Sequence, residues 1–220
     1  MRYQQLFWDF DGTLVNTYPG MVTAFHQALE DNGVNDFEID DLAIYQAMRQ
    51  HSLGTALQRF AAEFSVDRGR LQQLYRHHAA PQLTMAAPFA GVGALLRTVQ
   101  DQGGRNFVLT HRDNGALDRL AALGLSGFFS GAVTAADDYP RKPDPTSLRA
   151  LMQRYAVEPA TAIMIGDRNL DVQAGHRAGM AGALFDPEHL IVDESQPEVR
   201  VTQMAELKAW LLAVDSRDSR

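Results

Sequence analysis

The chain contains no cysteine, so disulfides and thiolate metal sites are excluded. Lysine is nearly absent too: Lys142 and Lys208 are the only two in 220 residues. There is no excess of positive charge. The formal net charge is −7, which argues against a nucleic-acid or anionic-membrane partner and means that an anionic ligand must be drawn in by local cationic groups. No apolar stretch approaches the length of a membrane span. No basic segment followed by a long apolar run opens the chain, so no secretory leader is expected. These absences lead us to expect a cytoplasmic protein. Internal repeats and low-complexity blocks are also missing.

What is present is ordinary in bulk and specific in detail. A hydrophobic content of 45% and a charged content of 21% suit a globular chain with a sizeable core. The length suits one domain, or a core carrying a smaller insert. Residues 4–9 read as a short buried strand. Met21, Val22, Phe25, Ala28 and Leu29 fall near one helical face within 18–32, and Gly33 supplies a stop. Helical patterns continue over 40–49, 53–64 and 67–79, and "TMAAPFAG" at 84–91 reads as a connector.

Strands and helices then alternate. Helices are expected near 91–102, 113–123, 145–155, 169–178 and 203–213, and strands at 106–110, 131–134, 161–167 and 181–185. The tail "DSRDSR" is expected to fray. Alternation of this kind indicates an α/β fold, a doubly wound parallel sheet of Rossmann-like type. An all-helical insert follows the first strand. The expected division is 1–16 with 87–220 for the core and 17–86 for the insert.

In such folds ligands bind beyond the carboxyl ends of the strands. Those ends supply Asp9 and Asp11, Thr110, and Asp167 with Asp171 four residues on. "YPRKPDP" adds Lys142. Burying like charges is costly, so clustered carboxylates call for a cation, and all-oxygen ligation suits Mg²⁺. Mg²⁺ would in turn attract a phosphate. One carboxylate can attack phosphorus and a second can serve as acid and then base. Residues i and i+2 of an extended chain share a face, so Asp9 and Asp11 can serve one pocket. Thr110 can donate to a phosphate oxygen and Lys142 can balance its charge.

"DFDGT", "LTHRDN", "RKPDP" and "GDRNLD" resemble, in order and approximate spacing, the four motifs of the haloacid dehalogenase superfamily. The resemblance runs from about residue 4 to 185 and is closest to the phosphatases and mutases whose helical cap follows the first motif, such as phosphoglycolate phosphatase and β-phosphoglucomutase. It implies Asp9 as nucleophile and Mg²⁺ ligand. Asp11 is implied as acid/base, with its carbonyl on the metal. Thr110 and Lys142 would hold the transferring phosphoryl group, and Asp167 and Asp171 would complete the metal site. Backbone N–H groups near Phe10, Asp11 and His111 would cradle phosphate oxygens. Asp11 stands where the dehalogenases of the superfamily lack an aspartate, and the insert holds no lysine for the Schiff base of the phosphonatases. Asn16-Thr17 and "THRDN" depart from the commoner pairings, which singles out His111 for an unusual contact.

Arg49, His51 and Ser52, in "MRQHSLGTAL", lie where relatives place a specificity loop, and are candidates for touching the leaving group. His26, His77 and His78 read as surface or packing residues and Trp8 as core. The expected activity is Mg²⁺-dependent hydrolysis of a small phosphate monoester through an aspartyl-phosphate. A β-phosphoglucomutase-type transfer and a non-catalytic phosphate-binding role stand as alternatives. The sequence leaves the substrate and the oligomeric state open.

Overall fold

The computed structural model describes residues 1–213; the tail expected to fray lies outside them. Six parallel strands form one sheet: β1 (Gln5–Trp8), β2 (Arg105–Leu109), β3 (Phe129–Val133), β4 (Ala162–Gly166), β5 (Ala181–Phe185) and β6 (Val199–Val201). Their order is β3-β2-β1-β4-β5-β6. Chain order reverses at β1, which puts the topological switch point beside its carboxyl end. β1 and β4 are buried along their whole length, as strands covered on both faces must be, and this explains their unbroken apolar runs.

Between β1 and β2 come α1 (Tyr18–Glu30), α2 (Asp41–Gln50), α3 (Leu53–Glu63), α4 (Arg68–Met85) and α5 (Val92–Asp101). The later helices are α6 (Gly115–Ala122), α7 (Thr146–Tyr155), α8 (Asn169–Arg177) and α9 (Met204–Leu212). The doubly wound α/β architecture with a helical insertion after the first strand is therefore what the chain adopts.

The chain forms two compact units. One comprises Met1–Val15, Pro88–His189 and the chain from Asp193; the other comprises Asn16–Ala87 with Leu190–Val192. In the sheet unit, Phe7, Phe107, Leu109, Met164, Leu148 and Leu151 belong to one apolar layer, with Phe7 and Phe107 stacked at 4.6 Å. Side chains alternate along β1, so Trp8 points to the other face. There its indole N–H donates to Asn106 Oδ1 at 3.0 Å, and the Asn106 amide donates to the Leu96 carbonyl of α5 at 3.2 Å. Trp8 is fully buried, in keeping with its reading as core.

In the helical unit Phe25, Leu29, Ile44, Phe60, Leu71 and Tyr75 form a separate core. Phe25 meets Phe60 edge-on at 5.6 Å. Asp40, Ser52 and Asp67 cap α2, α3 and α4 by accepting the backbone N–H groups of Ala43, Thr55 and Arg70. Each cap satisfies one orphan donor and fixes where its helix begins.

Two elements differ from expectation. α4 continues to Met85 rather than stopping near 79, with Pro81 inside it. Proline removes one helical donor, but beyond it Gln82 packs against Gly20 of α1, close enough that a side chain at Gly20 would meet its Cβ at 2.9 Å. Tertiary packing thus carries the helix past its breaker. β6 is a strand the sequence pattern does not show, since a three-residue "VRV" is too short to carry a period.

Candidate active site

Asp9 follows β1 directly, and its N–H donates to the Ile165 carbonyl of β4 at 2.9 Å. The chain then turns sharply. The Phe10 carbonyl accepts from Val15 N–H at 3.0 Å, and Gly12 N–H donates to the Val15 carbonyl at 2.9 Å. Gly12 has φ 72°, a left-handed conformation that costs glycine little and most other residues more. Asp11 therefore sits in a turn, not in the extended run assumed for a shared face.

Three carboxylates converge. Oxygens of Asp9, Asp167 and Asp171 all lie within 4.8 Å of one another, and all three residues are buried. Gly166 allows this: a Cβ there would lie 2.2 Å from Asp171 Cβ, so only a residue without one lets the first turn of α8 close on the end of β4. Asp171 also accepts the Arg168 N–H at 3.1 Å, capping α8.

Lys142 reaches into this cluster and is itself buried. Its ammonium donates to Asp9 Oδ1 at 2.5 Å and to the Leu109 carbonyl at 3.2 Å, and pairs with Asp171 Oδ1 at 2.6 Å. The ammonium thus makes two hydrogen bonds and one further ion pair inside the cluster. Arg168 Nε lies 3.6 Å from Asp167 Oδ1. Asp9 Oδ2 is buried and finds no hydrogen-bond partner among the described residues.

The electrostatics follow from this packing. Burial pushes the Asp9 carboxyl up to about 7; Lys142 opposes the rise, and the charges of Asp171 and Asp167 add to it. Asp171 goes the other way: burial would raise it, but Lys142 and Arg168 hold it below the usual carboxylate range. Burial would lower the Lys142 ammonium, yet Asp171 and Asp9 lift it above its ordinary value. Three buried carboxylates face one buried ammonium and one half-buried guanidinium. An unsatisfied carboxylate oxygen within an all-oxygen cluster fits a small hard divalent cation. The residues that would hold Mg²⁺ are thus Asp9, Asp167 and Asp171. The Asp11 carboxyl is not in the cluster; it pairs with Arg112, and its expected ligand is the backbone carbonyl.

Thr110 is buried at the end of β2, where its N–H donates to the Val133 carbonyl at 3.0 Å. Its hydroxyl oxygen accepts the Arg112 N–H at 3.1 Å, which leaves the hydroxyl proton to donate elsewhere. His111 has a structural contact: its Nε2 accepts the Lys142 N–H at 2.8 Å, which sets the tautomer with the proton on Nδ1. Burial, reinforced by the Lys142 charge, drops the His111 imidazole to about 3, so it stays neutral and clamps the Lys142 loop. Phe10 is fully buried in the turn.

Sequence reasoning missed Arg112 and Arg168. Parallel register pairs Trp8 with Val108, so residues shortly beyond both strands run side by side. That offset belongs to the sheet, and no local sequence signal places Arg112 next to Asp11.

Within the helical unit, Ser52 is occupied as the cap of α3. His51 is exposed at the end of α2. The Arg49 guanidinium lies over the Tyr18 ring at 5.7 Å. His26 bonds Asp41 at 2.8 Å and Asp36 at 3.0 Å, and His78 bonds Asp31 at 2.7 Å.

Known proteins resemble this chain in sequence and in fold. A phosphoglycolate phosphatase of Rhodospirillum rubrum is 32% identical over 184 residues, covering 79% of this chain and 75% of the relative. The pyrophosphatase PpaX of Halalkalibacterium halodurans is 24% identical over 215 residues, covering 90% of this chain and 96% of the relative. A solved haloacid dehalogenase-like family hydrolase from Streptococcus pneumoniae shares the fold, with a TM-score of 0.78 at 21% identity over 94% of this chain and 97% of that one. The sequence model of the haloacid dehalogenase-like hydrolases matches residues 6–185, a span that holds every residue of the carboxylate–lysine centre, and the chain belongs to that family.

Proposed function

We propose that this protein is a Mg²⁺-dependent phosphatase of small phosphate monoesters, working through an aspartyl-phosphate on Asp9. The observation that carries the reading is the buried Asp9 itself. One of its carboxylate oxygens is held by Lys142 and the other has no hydrogen-bond partner among the described residues. Such a group is costly to bury without a further partner, and a cation with a phosphate ester satisfies it. The name of the Rhodospirillum rubrum relative makes 2-phosphoglycolate the first substrate to try.

In the first step an Asp9 carboxylate oxygen attacks phosphorus. The P–O bond to the leaving group breaks, and Asp11 gives its proton to the departing oxygen. In the second step Asp11 takes a proton from water, which attacks the same phosphorus and returns Asp9 as carboxylate with inorganic phosphate. Lys142 keeps Asp9 oriented and offsets negative charge. The Thr110 hydroxyl donates to a phosphoryl oxygen, as do backbone N–H groups of Phe10, Asp11 and His111. When bound, Mg²⁺ neutralises the carboxylate cluster and the phosphoryl oxygens. The helical insert, expected over residues 17–86, is read as the cap, with Arg49, His51 and Ser52 as its candidate specificity residues.

The test is phosphate release from a panel of small phosphate monoesters, including 2-phosphoglycolate and β-glucose 1-phosphate, with and without Mg²⁺. Release is expected only with Mg²⁺, and Asp9→Asn is expected to abolish it while its circular dichroism stays that of wild type. Full activity in Asp9→Asn would reject the assignment.

A further inference from the structure

Both oxygens of the Asp11 carboxylate are engaged by one side chain. Arg112 Nε donates to Oδ1 and Oδ2 at 3.2 Å each, and Nη2 donates to Oδ1 at 2.7 Å. This pair differs from the one at Asp9. Lys142 and Asp9 are 1% and 3% exposed, whereas Arg112 and Asp11 are 20% and 23% exposed. The Arg112 backbone is pinned at both ends: its N–H donates to Thr110 Oγ1 and its carbonyl accepts from Ala135 N–H at 2.9 Å. The backbone is thereby fixed, so any change of partner falls to the side chain.

The fork is at odds with proton transfer by Asp11. A guanidinium only donates, so it competes for the oxygens that must carry a proton to the leaving group and later take one from water. Arg112 has to leave Asp11 during turnover, and the fork it makes there is matched by a second group of the same charge and geometry. A second carboxylate is such a group, since the bidentate match is kept. Lys142 cannot serve, because its ammonium is buried against Asp9, Asp171 and the Leu109 carbonyl, and Arg168 stands beside Asp167.

We propose that Arg112 is a movable anion receptor: it rests on Asp11 in the free enzyme and transfers to a carboxylate on the leaving group of the substrate, releasing Asp11 for proton transfer. The substrate class is then a small phosphate monoester with a carboxylate close to the ester oxygen. This inference rests on the phosphatase reading of the same site. An ester with a neutral leaving group offers Arg112 nothing in exchange and leaves Asp11 occupied.

The experiment compares 2-phosphoglycolate with ethyl phosphate, which replaces the carboxylate by a methyl group, in wild type, Arg112→Gln and Arg112→Lys. Calorimetric binding of the non-hydrolysable partners, 3-phosphonopropionate and propylphosphonate, is measured alongside with Mg²⁺ present. Wild type is expected to favour the carboxylate member of each pair by about 10- to 100-fold, the worth of charge-assisted hydrogen bonds. In Arg112→Gln both ratios should fall towards one, the kinetic one through kcat as well as KM because Asp11 is then unoccupied with either substrate, and Arg112→Lys should restore part of the preference.

An undiminished preference in Arg112→Gln overturns the proposal. So does equal loss on both substrates, which would make Arg112 an aligner of Asp11 alone, or a wild type without preference. A wild type that discriminates the phosphonates through Arg112 yet releases no phosphate supports the receptor and rejects the phosphatase reading. A wild type that binds neither phosphonate rejects the receptor whatever it hydrolyses.

Discussion

Replacing Lys142 with methionine keeps the length of the stem and removes the ammonium from the centre of the site. The charge lost is the one that touches Asp9 at 2.5 Å and Asp171 at 2.6 Å, in a pocket where all three side chains are essentially buried. Removing one partner of a buried ion pair costs about 3–5 kcal/mol, because the remaining charge has no compensation. For a chain of this length each kcal/mol is about 2–4 °C in Tm, so Lys142→Met should melt roughly 6–20 °C below wild type near pH 8 without divalent cations.

The sign with pH is fixed by the carboxylates. Asp9 already sits at about 7 in the folded protein, above its unfolded value, and losing Lys142 raises it further. A folded state that holds the proton more tightly loses stability as pH rises through that window. The gap between variant and wild type should therefore be narrower near pH 5.5, where it comes mainly from the ionised Asp171 left without Lys142, and grow towards about pH 8. Scanning calorimetry at both pH values reads it directly. A variant that melts with wild type at the higher pH, or a gap that does not widen with pH, would refute the burial-and-pairing argument.

Other outcomes follow from the same groups. With Asp9 raised to about 7, Mg²⁺ must displace a proton to bind, so its affinity should tighten from about pH 6 to about pH 8 with proton release on binding; calorimetry in two buffers of different ionisation enthalpy would show a pH-independent affinity if this is wrong. In the helical unit, burial pulls the His26 imidazole down, but the hydrogen bond and charge of Asp41, with Glu30 and Asp36, outweigh it and raise it above 6.5. Its clasp between α1 and α2 should be at full strength below that value and be lost as pH rises through the raised one. Hydrogen exchange of α1 and α2 should follow that trend in wild type and not in His26→Gln; identical pH profiles would reject the clasp.

Much of the fold was legible because its elements carry long, regular signals. The strands β1 and β4 are unbroken apolar runs ending in aspartate, and the amphipathic α1 and α3 show a helical period. The ends of β1, β2 and β4 could be matched to Asp9, Thr110 and Asp167 because a parallel sheet aligns its carboxyl ends. What escaped depends on partners distant in sequence. α4 passes Pro81 because Gln82 has Gly20 to pack on, and "VRV" is a strand because β5 lies beside it. Arg112 and Arg168 look like ordinary loop arginines, since the direction a long side chain folds back is set by neighbours on other strands. "THRDN" singles out His111 in the sequence, but in the structure His111 is a neutral clamp on the Lys142 backbone and its neighbour Arg112 is the residue that meets Asp11.

The central claim, covalent chemistry at Asp9, is tested most directly by acid-quenching Asp11→Asn during reaction with p-nitrophenyl phosphate and Mg²⁺, then mapping peptides by mass spectrometry. This leaving group needs little protonation, so the first step proceeds while the second, which relies on Asp11, stalls. The account predicts one added phosphoryl group on the peptide containing Asp9, absent without Mg²⁺ and absent in Asp9→Asn. No adduct, or an adduct on another residue, with wild type releasing phosphate under the same conditions, would contradict it.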